Sequence, residues 1–250
     1  MILNHTTYDR APHAHATLFY FHGGGLMFGN RDDLPQEIRD YWHHQGYNIL
    51  AVDYPLAPEA TLDDIIQSLR NTIQLCIDTY ALTHYSFFGR SAGAFLAFQL
   101  HRYFAPEFII SFYGYTISDR QWLLEPNKHY SQYPTLNPTS LARMVQTIPP
   151  YRSTIESRYA LYVNARQTGT WLQQLQTTPS SIDPTDLPPT FLWHSIFDPD
   201  VPFRESKYIV DHAPQAELHH STQRIHEIDT IAFKDIETPL TTFLHEHKKT

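Results

Sequence analysis

Tyr85-Ser86-Phe87-Phe88-Gly89-Arg90-Ser91-Ala92-Gly93-Ala94-Phe95-Leu96 is the stretch on which the fold turns. Tyr85 to Phe88 is a short run of β-formers, and Ser91 to Tyr103 reads as a helix that follows at once. The chain therefore passes from strand to helix across Gly89-Arg90-Ser91-Ala92-Gly93. A G-x-S-x-G sequence in that setting holds its serine on a tight turn and lifts the hydroxyl out of the C-terminal edge of the sheet. The flanking glycines avoid clashes with the strand and helix. By itself the pattern is weak, since at average glycine and serine usage about one chain in ten of this length contains it by chance. The strand and helix on either side give it weight. Glycine usage adds more, because the chain holds 9 glycines and six of them are Gly23, Gly24, Gly25, Gly29, Gly89 and Gly93. Such clustering marks backbone turns that a Cβ would obstruct.

Outward from this point, strands and helices alternate. Ala16 to Phe21 is a strand that runs into His22-Gly-Gly-Gly25. Asp32 to His44 has helical potential and is stopped near Gly46. Asn48 to Val52 is a second strand, closing on Asp53-Tyr-Pro-Leu-Ala-Pro-Glu59. Thr61 to Tyr80 is the clearest helix, with apolar residues at Leu62, Ile65, Ile66, Leu69, Ile73, Cys76 and Ile77 at 3.6-residue spacing. Thr61 and Asp64 are placed as a capping box, and Cys76 lies on the buried stripe as a core residue. Further strands are read at Glu107 to Tyr113, Thr190 to His194 and around Ala216 to Ser221, with helices at Phe203 to His212 and Thr238 to His247. This alternation predicts an α/β fold, a mostly parallel central sheet with helices on both faces. Residues 115–187 interrupt it. They are polar, proline-bearing and rich in aromatics, and too long for a bare connection. They are read as an inserted, largely helical cap, with 1–114 and 188–250 as the core.

Composition narrows the function. A chain of 250 residues suffices for one large domain. The net charge of −8 argues against nucleic acid or other polyanionic partners. One cysteine permits no internal disulfide. No secretory signal is visible at Met1 to Arg10, and no run of about eighteen apolar residues offers a membrane span. The expected location is the cytoplasm. The 16 histidines include no H-E-x-x-H pattern or cysteine-partnered ligand set. His43-His44 and His219-His220 are adjacent pairs whose side chains point apart, so neither a metal nor another cofactor is expected.

His22-Gly23-Gly24-Gly25 is the second chemical motif. Acyl transfer places negative charge on a former carbonyl oxygen, and fixed backbone N–H groups stabilise it without reorganising. Gly23 and Gly24 would supply two such donors, and Ala92 a third from the start of the helix after Ser91.

Together, His22-Gly-Gly-Gly, Asp53-Tyr-Pro-Leu-Ala-Pro-Glu59 and Gly89-Arg-Ser-Ala-Gly93 resemble the hormone-sensitive-lipase-like esterases of the α/β-hydrolase superfamily. The resemblance carries specific motifs from Thr17 to about Gly114 and extends more loosely over Thr190 to Ile228. It implies a carboxylesterase or lipase acting on short to medium acyl esters without a cofactor. It also implies loop-bracing roles for Asp53 and Glu59. Pro55 stands where the family usually has arginine, Leu26 where an aromatic is common, and the N-terminal cap segment of many members is not expected here. These departures bear on the substrate, not on the reaction type.

A nucleophilic serine needs a base, and the base an orienting acid. In this fold they follow in the order serine, acid, histidine. The acid falls in Phe191-Leu-Trp-His-Ser-Ile-Phe-Asp198-Pro-Asp-Val201-Pro, where an aspartate followed three residues later by valine resembles the acid loop of many relatives. Asp198 is preferred. Asp200 stays open as the alternative, or as a helix cap before Phe203. Of the six later histidines, His212, His219, His220, His245 and His247 fall on predicted helices or strands. His226 sits in the loop after the last strand, where the superfamily it resembles places its catalytic base, and is the expected base. His22 is read as holding the glycine loop. The expected partner is a small-molecule ester, and the oligomeric state is open, a homodimer included. Two rival functions also remain: a peptidase or amidase of the prolyl-oligopeptidase type, or a non-catalytic binding protein on a hydrolase scaffold.

Overall fold

The computed structural model describes residues 2–148, 150–151, 153–177 and 181–248. In chain order the strands are β1 (Thr6–Asp9), β2 (Ala16–Phe21), β3 (Tyr47–Val52), β4 (Tyr85–Arg90), β5 (Ile109–Phe112), β6 (Thr190–Ser195) and β7 (Ala216–Ser221). The α-helices up to β5 are α1 (Gln36–His44), α2 (Leu62–Tyr80) and α3 (Ala92–Leu100). Between β5 and β6 lie α4 (Gln121–Leu124), α5 (Pro138–Thr147), α6 (Ile155–Thr168) and α7 (Trp171–Gln174). The chain finishes with α8 (Arg204–His212), α9 (Asp229–Ala232) and α10 (Glu237–His247).

Among the described residues the strands form one seven-stranded sheet in the order β1-β3-β2-β4-β5-β6-β7. All pairs are parallel except β1 with β3. Because β2 to β7 run the same way, the loops that leave them gather at one edge of the sheet. His22, Ser91, Asp198 and His226 all lie on such loops or turns. This is the placement that the α/β reading predicts.

The strands read as continuous apolar runs because both faces are covered. On β2, Leu18 and Tyr20 enter a cluster with Ile38 and Trp42 of α1 and Leu240 and Phe243 of α10. The alternate residues Phe19 and Phe21 enter the opposite cluster, with Ile65, Leu69, Ile73 and Cys76 of α2 and all the apolar residues of α3. The expected cap of α2 is present: the Asp64 N–H donates to Thr61 Oγ1 at 3.1 Å, and Asp64 Oδ2 accepts the Thr61 N–H at 3.0 Å.

Some details differ from the sequence reading. β1, with the sequence Thr-Thr-Tyr-Asp, pairs antiparallel with the outer edge of β3 and stays only partly buried. It is too short and polar to carry a strand pattern of its own. α1 starts at Gln36, not at Asp32, because Pro35 takes an extended ψ of 141° that ends the preceding loop. α3 stops at Leu100, short of Tyr103.

Residues between β5 and β6 fasten onto the loops at the C-terminal edge. The Arg158 guanidinium donates to the Met27 and Ala57 carbonyls at 2.8 Å and to both oxygens of Glu59 at 2.7 Å. The Trp171 indole donates to the Gly25 carbonyl at 2.8 Å. Glu205 of α8, fully buried, accepts from the Thr116 and Ser118 amides at 3.0 and 3.3 Å and from the Trp122 indole at 3.2 Å. A carboxylate can sit there because N–H and O–H donors surround it. Among the described residues no helix is long and apolar enough to cross a membrane.

Candidate active site

Ser91 occupies the turn between β4 and α3 with φ 52° and ψ −117°. A positive φ at a residue with a side chain costs of order 1–3 kcal/mol and persists only where the surroundings enforce it. The two motif glycines show how. A Cβ on Gly89 would stand 2.2 Å from the Ala94 nitrogen, and one on Gly93 would stand 2.0 Å from the Phe21 carbonyl oxygen. β2, β4 and α3 therefore meet closer than any side chain permits. The Ser91 N–H is tied to the Phe112 carbonyl at 2.9 Å, which leaves the side chain projecting from the elbow.

The Ser91 hydroxyl meets His226. The distance from His226 Nε2 to Ser91 Oγ is 2.8 Å, and His226 Nδ1 is 2.7 Å from Asp198 Oδ2. The other oxygen of Asp198 accepts the N–H groups of Asp200 and Val201 at 2.7 and 3.0 Å. Burial opposes charge on His226, but the facing Asp198 carboxylate outweighs it. Helped by Asp200 and Glu227, Asp198 pushes His226 up to about 9. Burial works against ionised Asp198 as well, yet the charge on His226 and hydrogen bonds from His194 and His226 hold it well below the usual carboxylate range. The result is a hydroxyl, an imidazole and a carboxylate in hydrogen-bonded series, an arrangement able to draw the proton from the hydroxyl and stabilise the resulting imidazolium.

The His22 loop is oriented by two side chains. The Tyr54 hydroxyl donates to the His22 carbonyl at 2.8 Å and to the Gly23 carbonyl at 3.3 Å, and His22 Nδ1 donates to the Gly23 carbonyl at 2.8 Å. The two rings stack 4.1 Å apart. In a trans peptide the next residue's N–H points opposite to the carbonyl. Anchoring these two carbonyls thus turns the N–H groups of Gly23 and Gly24 away from Tyr54. A Cβ on Gly23 would lie 3.5 Å from Ser91 Cβ, so this loop passes directly beside the serine. Ala92 is the first residue of α3, where an N–H has no partner within the helix.

Asp200, the alternative acid, is engaged elsewhere. Its carboxylate accepts from the Tyr162 hydroxyl at 2.6 Å and from Arg166 Nε at 3.1 Å, both on α6. It is not a helix cap either, since α8 begins after Phe203 without a side-chain cap. Asp53 holds Arg31 at 2.7 Å, bracing the loop after β2, and Glu59 holds Arg158. Cys76 is fully buried.

Two features escaped sequence reasoning. Arg90, the variable residue of the motif, is buried and pairs with Asp229 at 2.7 Å, while the Tyr113 hydroxyl donates to the same carboxylate at 2.6 Å. Tyr113 also sets its ring edge-on to His226 at 4.7 Å. The segment bearing His226 is thereby clamped to β4, the strand that leads into Ser91. His194 of β6 is the second, hydrogen-bonded to Asp198. A polar residue inside a buried strand was the available signal for it.

Ser91 and His226 line a cavity of about 390 Å³. Gly24, Gly25 and Phe28 line it from the loop after β2, and His129, Tyr130, Tyr133, Tyr159 and Tyr162 from the segment between β5 and β6. Among the described residues no group of three or more His, Cys, Asp or Glu is arranged to hold a metal ion.

Residues 18–208 match the family described as alpha/beta hydrolase fold. An acetyl esterase of Salmonella typhi is 35% identical over 98 residues, which are 36% of this chain and 29% of that protein. The match thus spans less than a third of the relative's length. A crystal structure of a protein of unknown function from Staphylococcus aureus superposes with a TM-score of 0.90 at 28% identity, covering 98% of this chain and 94% of that one. An alpha/beta hydrolase superfamily protein from Enterococcus faecalis gives a TM-score of 0.85 at 28% identity, covering 96% of this chain and 94% of that one.

Proposed function

This chain belongs to the alpha/beta hydrolase fold family, and from that premise we propose that it is a serine carboxylesterase cleaving small acyl esters through an acyl-enzyme. The observation that carries the proposal is the unbroken hydrogen-bonded series from Ser91 through His226 to Asp198. Ser91 Oγ attacks the ester carbonyl while His226 Nε2 takes its proton. Asp198 holds the imidazole by Nδ1 and balances the charge that forms there. The carbonyl oxygen becomes an alkoxide facing the amides of Gly23, Gly24 and Ala92, which serve as the oxyanion hole. When the tetrahedral intermediate collapses, the C–O bond to the alcohol breaks and the alcohol leaves with the proton from His226. Water, deprotonated by the same ring, then attacks the acyl carbonyl and restores Ser91.

The acetyl esterase likeness favours a short acyl group. Residues 115–187 act as the cap, supplying the tyrosine wall of a cavity sized for a small ester. The test is Ser91→Ala. Its kcat/KM on p-nitrophenyl acetate is expected to fall by roughly 10⁴-fold or more, with covalent labelling by a fluorophosphonate lost. Labelling that persists in this variant, or a preference for aminoacyl anilides over acetate esters, overturns the assignment.

A further inference from the structure

Asp198 serves two imidazoles. His194, on β6 and fully buried, places Nε2 at 3.1 Å from Asp198 Oδ2, the oxygen that also meets His226 Nδ1 at 2.7 Å. The same Nε2 lies 3.1 Å from the Val201 carbonyl oxygen. A carbonyl only accepts, so Nε2 carries a hydrogen, and one hydrogen facing two oxygens is shared between them. His194 Nδ1 is 2.7 Å from the Ser206 hydroxyl on α8, and the Phe203 ring stands edge-on at 5.8 Å. The ring is thus held at both nitrogens, with its N–H aimed between the acid and the backbone of the acid loop.

We propose that His194 is a positioning residue for the triad: its shared Nε2–H locks the Asp198 carboxylate toward His226 and takes up part of the negative charge that would otherwise act on His226 alone. The inference rests on the triad reading above. A donor to one carboxylate oxygen disperses its charge and weakens what that oxygen offers a second donor. Of the other groups near His226, Asp200 and Glu227 act on its charge, Tyr113 stands edge-on to the ring with its hydroxyl on the Arg90–Asp229 pair, and Arg224 lines the same cavity. Asp200 is tied to Arg166 and Glu227 is exposed. Asp198, with its side chain 0% exposed, is the one whose change reaches His226 unscreened.

Three substitutions in the full chain test this. His194→Leu removes the donor, His194→Met fills the space with a more adaptable chain that also lacks an N–H, and His194→Gln returns an N–H near the position of Nε2. Two readouts are taken: kcat/KM against pH on p-nitrophenyl acetate, and titration of the His226 ring by ¹H–¹⁵N NMR, assigned with His226→Ala. In the Leu and Met variants the His226 titration is expected to move up by about half a unit or more, and kcat/KM to fall about tenfold. His194→Gln is expected to restore both. A purely structural ring would lower the melting temperature without moving the titration. A titration that stays in place or moves down in the donor-free variants therefore overturns the inference, and if His194→Leu does not fold, His194→Met decides. Should Ser91→Ala still turn over ester while the titration moves as expected, the triad reading fails and the coupling of the two imidazoles stands. An inactive Ser91→Ala with an unmoved titration sinks the coupling alone.

Discussion

At the scale of single residues, the site is governed by which group holds which proton. In the proposed mechanism His226 accepts a proton from Ser91 only when neutral, so kcat/KM should rise as pH climbs through the pKa of His226. Asp198 raises that value above the ordinary 6.5, to about 9, so the rising limb is expected near pH 9, well above that of a free imidazole. Asp198→Asn removes the pull on the protonated ring. The limb should then move to lower pH, and kcat/KM should drop by about 10⁴-fold as the tautomer is no longer held. A pH profile of the variant that keeps the wild-type limb would contradict this pairing. Ser91, Asp198 and His226 were all readable from motif and chain order. The Arg90–Asp229 pair was not, because its two ends meet only when β4 and the segment after β7 are brought together, and neither was His194, because spacing does not tell that the loop after β6 folds back onto its own strand to bring Asp198, four residues on, to the ring.

Among the elements, the elbow depends on how closely β2, β4 and α3 approach. Gly93→Ala would put a methyl group 2.0 Å from the Phe21 carbonyl oxygen. We expect a loss of about 3 kcal/mol or more in urea unfolding, or no folded protein. A soluble variant with the wild-type midpoint would show that the strand and helix can part. The cap of α2 offers the contrasting case. Thr61→Ala loses the hydrogen bond from the Asp64 N–H and should cost about 1 kcal/mol of stability, with kcat/KM on p-nitrophenyl acetate unchanged. The long helix, its cap and the buried parallel strands were legible because each is encoded within a few neighbouring residues. β1 was not, since Thr6 to Asp9 becomes a strand by pairing with β3, some forty residues later in the chain.

Across the whole molecule, buried charges join segments that are far apart in sequence. Arg158 of α6, fully buried, holds Glu59 and the carbonyls of Met27 and Ala57. Arg166 of the same helix holds Asp200 beside the acid loop. Arg158→Met would leave a carboxylate and the carbonyls of Met27, Ala57 and Ile148 without this donor. Breaking a buried pair costs about 3–5 kcal/mol. The Glu59 side chain is 21% exposed and partly screened, so about 3 kcal/mol is expected by chemical denaturation. Adding Glu59→Gln should recover part of it. Full additivity of the two losses would mean that the pair does not couple these segments.

By itself, the sequence determined the class of fold, the elbow with its serine, the glycine loop before the first helix, and the order in which Ser91, Asp198 and His226 follow one another. Those features rest on local spacing, since turns, caps and apolar periodicity are properties of adjacent residues. Only the tertiary structure decided that Asp198 faces His226 while Asp200 turns to Arg166, that a second imidazole shares the acid, and that α6 reaches the loops after β2 and β3. In each case the deciding interaction is a hydrogen bond or ion pair between groups that pattern cannot associate. Packing the sheet edge is what selects among them.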